Sequence, residues 1–209
     1  IPTFTLGKPA TIFDLSVGSE KFAFEPQLRF SLEGKPWSFL FWFRYKAIQT
    51  SKFRLTMGMH PSVAFRNYVT YDRVGNSKEL LTPHQYLASE FAPNWILSKK
   101  ISVGAYYLYS HGMTEGATNN THFMTINSSI SAIPIVKNTY LRLNPQLFYL
   151  IMDNQAGTYA TMSLSLTNTH SPISISSILN QKINSTIPGN DFVWNIALVY
   201  QFHKKFKTL

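Results

Sequence analysis

The 209-residue chain contains no cysteine, which excludes a disulfide framework and any thiolate metal site. Charge is scarce: 14% of residues are Asp, Glu, Lys or Arg, against roughly a quarter in ordinary soluble domains. Long apolar runs are missing as well. They stop at about six residues, as around Phe39–Phe43, far short of the ~18 that mark a membrane helix. A helical membrane protein is thereby excluded, but a barrel, whose strands are apolar at every second position, is not. Acids are scarcer than bases, 10 against 19, for a formal net charge of +9. Such a charge can serve nucleic acid or anionic lipid. Lys and Arg are scattered, however, so no nucleic-acid partner is expected.

What is present is aromatic side chains, 15% of the chain, set in a period of two. Phe22, Phe24, Leu28, Phe30 and Leu32 alternate with Ala23, Glu25, Gln27, Arg29 and Ser31. After the turn signal Glu33-Gly34-Lys35-Pro36, Trp37, Phe39, Phe41, Phe43 and Tyr45 alternate with Ser38, Leu40, Trp42, Arg44 and Lys46. Phe53, Leu55, Met57, Met59, Val63 and Phe65 alternate with Arg54, Thr56, Gly58, His60, Ser62 and Arg66. Helical spacing would mix Arg and Phe on one face, so these are strands. A polar stretch, 72–83, reads as a loop. The pattern resumes at 85–97, 101–111, 121–133, 139–152, 158–167, 173–180 and 192–202, with longer loops at 112–120 and 181–191.

The expected fold is all-β: an antiparallel transmembrane β-barrel of about ten strands, with eight to twelve possible. Residues 1–19 are a lead-in or a short extra strand, 20–203 the barrel, and 204–209 a basic tail. The absence of a leader before Ile1 fits a processed, exported chain, and equally a cytosolic fragment. With both chain ends in the periplasm, most short turns fall on the periplasmic side and most longer loops outside, the asymmetry of such barrels. Closure is expected between the strand near residue 21 and the strand ending at Phe202. Pro26, Pro61, Pro93 and Pro145 fall inside strands, where proline marks a bulge or a broken strand.

A soluble barrel would also alternate. Here the apolar face carries no charge and is crowded with Phe, Trp and Tyr, while the other face is largely Ser, Thr, Gly, Ala, Asn and Gln. A soluble exterior would be rich in Lys and Glu, and a small core could not pack so many large rings. Facing lipid, they need no such fit. Trp37, Trp95, Tyr159, Trp194 and Tyr200, near strand ends, suit interfacial girdles.

The last strand, Phe192-Val193-Trp194-Asn195-Ile196-Ala197-Leu198-Val199-Tyr200-Gln201-Phe202, resembles the terminal strand of bacterial outer-membrane β-barrel proteins. The stretch from Ala132 to Phe202 is similar to uncharacterised members of that group. The resemblance implies a Gram-negative outer-membrane location and contact with outer-membrane lipid and lipopolysaccharide. It further implies an assembly signal in Trp194, Tyr200 and Phe202 read by the barrel-assembly machinery. Other outer-membrane proteins are possible partners. The usual pattern stops at the final aromatic; here His203–Leu209 follows.

The second face holds the chemistry. Parity places Glu25, Arg29, Arg44, Lys46, Arg54, His60, Arg66, Glu90, Asn94, Arg142 and Gln146 in the lumen. Glu25 and Glu90 are too few to neutralise the cations, so the lumen is expected to be basic. Buried charges must pair or stay hydrated. One reading is a plugged interior in an accessory or structural barrel. Another is a narrow pore favouring anions, since Arg and Lys rings select them. A third is a lipid-modifying enzyme, through His60 beside Ser62; that pairing lacks an orienting acid in the sequence. His111 and His122 flank a loop with Glu115, a spacing too unspecific for a metal site. No catalytic residue, metal or cofactor is expected.

Overall fold

The computed structural model describes residue 2 and residues 7–71 and 75–202. The basic tail at 204–209, with Lys204, Lys205 and Lys207, lies outside the described residues. Ten long strands follow the expected segments: β3 (Phe22–Ser31), β4 (Pro36–Gln49), β5 (Phe53–Tyr71), β6 (Ser77–Ile96), β7 (Ile101–Gly112), β8 (Asn120–Val136), β9 (Thr139–Met152), β10 (Gln155–Asn168), β11 (Ile173–Ser185) and β12 (Phe192–Tyr200). Two short strands precede them, β1 (Ala10–Asp14) and β2 (Val17–Gly18). All pairings are antiparallel.

The strands form one curled sheet in the order β1-β3-β4 and onward to β12. β1 and β2 lie end to end on the same flank of β3. Between them Leu15 N–H donates to the Pro26 carbonyl at 3.1 Å. Together they act as one interrupted edge strand. At one rim, called lower here, lie the turns 50–52, 97–100, 137–138 and 169–172, together with Lys21 and Tyr200. The other connections form the upper rim.

Two connections are tight two-residue hairpins, 137–138 and 153–154, with Asn138 (φ 63°) and Asp153 (φ 50°) in the left-handed region. Asn and Asp tolerate that conformation best among residues with a side chain. The hairpin β5–β6 runs far beyond the expected strands: Tyr71 pairs with Ser77. The stretch 77–83, expected as loop, is strand, because Leu80 and Leu81 pair with Tyr68 and Asn67 and continue the ladder despite their polar neighbours. Likewise β11 continues to Ser185, through the first five residues of the expected loop at 181–191.

Phe22, Phe43, Met59, Phe91, Trp194 and Ile196 stand exposed on the convex face. The concave face buries Trp42, His60, Glu90, Phe148 and Leu150. The expected closure is not made. Among the described residues β12 pairs with β11 alone, and β1, β2 and β4 are the partners of β3. The strand count explains this. Among the described residues the sheet has eleven strand positions, so both edges, β1–β2 and β12, run from the upper rim to the lower. Joining them would make a parallel seam, whereas bacterial barrels are antiparallel with even strand number.

The four in-strand prolines leave every strand continuous. In an antiparallel sheet a residue's N–H and C=O point to the same neighbour, so a proline disturbs one flank. Pro61 pairs with Leu87 of β6, while on its β4 side pairing passes from Leu40↔Ser62 to Phe43↔Met59 in unchanged register. Pro93 pairs with Leu55 and faces a gap toward β7, between Phe91↔Tyr107 and Asn94↔Gly104. Pro145 pairs with Met162 and faces a gap toward β8, between Asn127↔Gln146 and Ile130↔Leu143. Pro26 pairs with Phe41 and sits opposite the break between β1 and β2.

Candidate functional site: a belt across the concave face

The register sets the inward charges side by side. Arg44 lies opposite Gly58, Gly58 opposite Glu90, and Glu25 opposite Trp42. Gly58 has no side chain, so Arg44 and Glu90 meet across it. Arg44 Nε donates to Glu90 Oε1 at 2.6 Å and Nη2 to Oε2 at 3.4 Å. Arg44 Nη1 pairs with Glu25 Oε2, and Ser16 Oγ donates to Glu25 Oε1 at 3.1 Å. Tyr106 Oη donates to Glu90 Oε2 at 2.7 Å. The Glu90 side chain is 2% exposed, and a carboxylate so buried requires its cation and donors.

Trp42 floors this network. The Arg44 guanidinium lies 4.3 Å from one of its ring centroids, a cation–π contact. The His60 ring centroid is 4.0 Å from that of Trp42, where the β4–β5 ladder skips from Leu40↔Ser62 to Phe43↔Met59. His60 is buried and packs there as an aromatic. Ser62, its expected enzymatic companion, lies in the register opposite Leu40 and Tyr86.

Tyr106 also begins an apolar half. Its ring meets Phe123 edge-on at 6.0 Å; Phe123 contacts Phe148 at 5.1 Å; Phe148 stacks on Tyr159 at 4.8 Å. Leu150 and Ile187 complete the cluster. Ile187 comes from the upper connection between β11 and β12, pinned by hydrogen bonds of 2.9 Å from Thr186 N–H to the Ala156 carbonyl and from Ile187 N–H to Ser185 Oγ. Tyr159 Oη and Ser185 Oγ share a hydrogen bond of 2.7 Å. Beside it Thr161 Oγ1 donates to the buried Asn180 Oδ1 at 2.6 Å. A single layer of touching side chains therefore crosses the concave face from Glu25 on β3 to Tyr159 on β10, with Ser185 of β11 at its end.

Of the eleven expected lumen residues, the structure brings Glu25, Arg44 and Glu90 into direct contact and adds His60 through Trp42. Arg29 forms a separate group: it donates to Gln27, which donates to Asp14 Oδ1 at 2.6 Å, and lies 5.4 Å from the Trp37 ring. Asn94 lies opposite Arg54 toward the lower rim, and Gln146 between Asn127 and Thr161. Lys46, Arg54, Arg66 and Arg142 form no ion pair among the described residues, and the three arginines are exposed.

Tyr159 corrects the reading from sequence. It was expected in a lipid-facing girdle, but it is 2% exposed and faces inward. The inner face is correspondingly less polar than expected, with Phe123, Phe148 and Leu150 beside its Thr and Asn. A signal for this existed in Leu147-Phe148-Tyr149-Leu150-Ile151-Met152: a strand apolar at both parities has both faces covered. Among the assembly-signal residues, Trp194 and Tyr200 face outward on β12, and Phe202 lies past its end at 85% exposure.

No family model matches the chain, and no curated protein matches it. Among solved structures, the chain is similar to in-vitro folded OmpT, an outer membrane protein of Vibrio cholerae, with a TM-score of 0.51. The fold is that of an outer-membrane β-barrel. Identity is 8%, and the match covers 90% of this chain and 63% of the OmpT chain. The chain thus spans under two thirds of that barrel's length. At such identity the likeness concerns the path of the backbone, and the residues of the belt carry the functional argument.

Proposed function

We propose that the chain is a structural, non-enzymatic component of a Gram-negative outer-membrane assembly, with an interior sealed at mid-height. The belt from Glu25 to Tyr159 carries this reading. Its one guanidinium, Arg44, is shared by the two carboxylates of Glu25 and Glu90, and its rings pack against one another, which supports an interior filled by side chains. The open sheet supports the assembly part. In a bilayer, edge N–H and C=O groups of β1–β2 and β12 need partners, and the downward run of both edges favours an added strand running upward.

A narrow anion-favouring pore is the second reading, favoured by the unpaired Lys46, Arg54 and Arg142 on the concave face. Reconstitution in planar bilayers separates the two. The sealed reading expects no steady conductance. Anion-selective steps that shrink on Arg54→Ala or Arg142→Ala would overturn it. Turnover of lipid by the purified protein, lost on His60→Ala, would overturn the non-enzymatic part.

A further inference from the structure

The two rims differ in how their charges are satisfied. At the upper rim cations meet acids: Lys8 with Glu33 at 3.1 Å, Lys35 with Glu79 at 3.0 Å, Lys182 with Asp191 at 3.1 Å. At the lower rim Lys21, Lys52, Lys99, Lys100 and Lys137 are all exposed, and none forms an ion pair among the described residues. Glu20 is the acid beside them.

Their position along the strands is regular. Lys21 precedes Phe22, Lys52 precedes Phe53, Lys100 precedes Ile101, and Lys137 follows Val136. Phe22, Ile101 and Val136 are exposed apolar residues, and Phe53 stacks against the outward Trp95 at 5.2 Å. Each of these lysines thus sits in the chain one residue beyond the edge of the apolar band. A lysine at the end of such a band has a side chain long enough to hold its charge at headgroup depth. The turns have no acid of their own to answer these charges.

We propose that the lower rim is a docking surface for anionic phospholipid headgroups, with the four lysines at 21, 52, 100 and 137 as phosphate ligands and phosphatidylglycerol as the probe lipid. The inference rests on the membrane reading above. Attraction of juxtamembrane lysines to anionic headgroups is additive and falls with salt. The upper rim, where Lys8, Lys35 and Lys182 are paired with acids, is expected to show no such preference.

The absence of cysteine permits single-site labelling. A bimane is placed at Ser51→Cys on the lower rim or Asn190→Cys on the upper rim. The labelled full chain is reconstituted in phosphatidylcholine vesicles containing a fixed fraction of brominated phosphatidylglycerol or brominated phosphatidylcholine. Quenching at Ser51→Cys is expected to be at least twofold stronger with brominated phosphatidylglycerol, and equal with both lipids at Asn190→Cys. The preference disappears at 1 M salt and in K21Q/K52Q/K100Q/K137Q. Equal quenching by both lipids at the lower rim overturns the proposal, as does a preference that survives the fourfold substitution. Absence of quenching by either lipid at both sites would instead overturn the membrane reading itself.

Discussion

Gly58 is the residue on which the polar half of the belt depends. A Cβ built there would stand 2.8 Å from Glu90 Oε1 and 3.2 Å from Arg44 Cγ. The Glu90 side chain is 2% exposed and held on Arg44 and Tyr106, so Gly58→Ala is expected to push the carboxylate off the guanidinium. Breaking a buried pair costs about 3–5 kcal/mol, and an imperfect displacement should cost about 2 kcal/mol. Urea unfolding of the folded protein measures it. Glu90→Gln made in the Gly58→Ala background should add little, because both substitutions damage the same contact. Full additivity, or wild-type stability of Gly58→Ala, would show that Arg44 and Glu90 do not depend on that gap. The charges of this network were legible from parity, since Glu25, Arg44 and Glu90 all fall on the inward face. Their partnership was not legible. It depends on which residue lies opposite which, and hence on the registers of β3–β4, β4–β5 and β5–β6, which alternation leaves open.

The strands themselves were legible because outward and inward positions differ so sharply in this chain. Their ends were less so. β5–β6 and β11 extend upward on polar residues, where no hydrophobic contrast marks the pairing. The prolines show a feature that alternation alone does not resolve. The gaps at Pro61, Pro93 and Pro145 fall on β4–β5, β6–β7 and β8–β9, the pairs joined by lower-rim turns, while β3–β4, β5–β6 and β9–β10 have their prolines inside continuous ladders. Three of the four lower-rim pairs are thus softened by a proline, while β10–β11 has none. Pro61→Val supplies the missing N–H on the β4 side in a register already correct. It is expected to stabilise the protein by about 1 kcal/mol, the net worth of one hydrogen bond. The midpoint of heat-modifiable gel migration reads this as a rise. A fall in the midpoint would mean that the proline shapes the seat of Trp42 over His60, and that the gap is required by the belt.

At the scale of the whole molecule, the decisive quantity is the odd number of strand positions among the described residues. Fold class was readable from composition and period, and closure was then assumed from a terminal strand that looked final. Strand direction argues differently. β1 starts at the upper rim opposite Ser31, and β12 starts there opposite Gln181, so the two edges are parallel. One added strand running upward makes every seam antiparallel and the total even, as in bacterial barrels. A second copy of the chain, related by an axis along the membrane normal, would again present downward edges, so self-association does not repair the parity. Distances make the alternatives measurable. Adjacent strands lie about 4.8 Å apart, so edges separated by one intervening strand lie about 9.6 Å apart. A disulfide requires Cα atoms within about 7 Å. In a chain without native cysteine, Thr11→Cys on the outward side of β1 can be combined in turn with Trp194→Cys, Ile196→Cys and Leu198→Cys on β12. In the membrane-folded protein no pair should oxidise to a disulfide, whereas a bismaleimide of about 10 Å reach, roughly two strand spacings, should link at least one. Ready disulfide formation would mean that β1 and β12 meet directly in a parallel seam, and that the barrel completes itself without a partner strand.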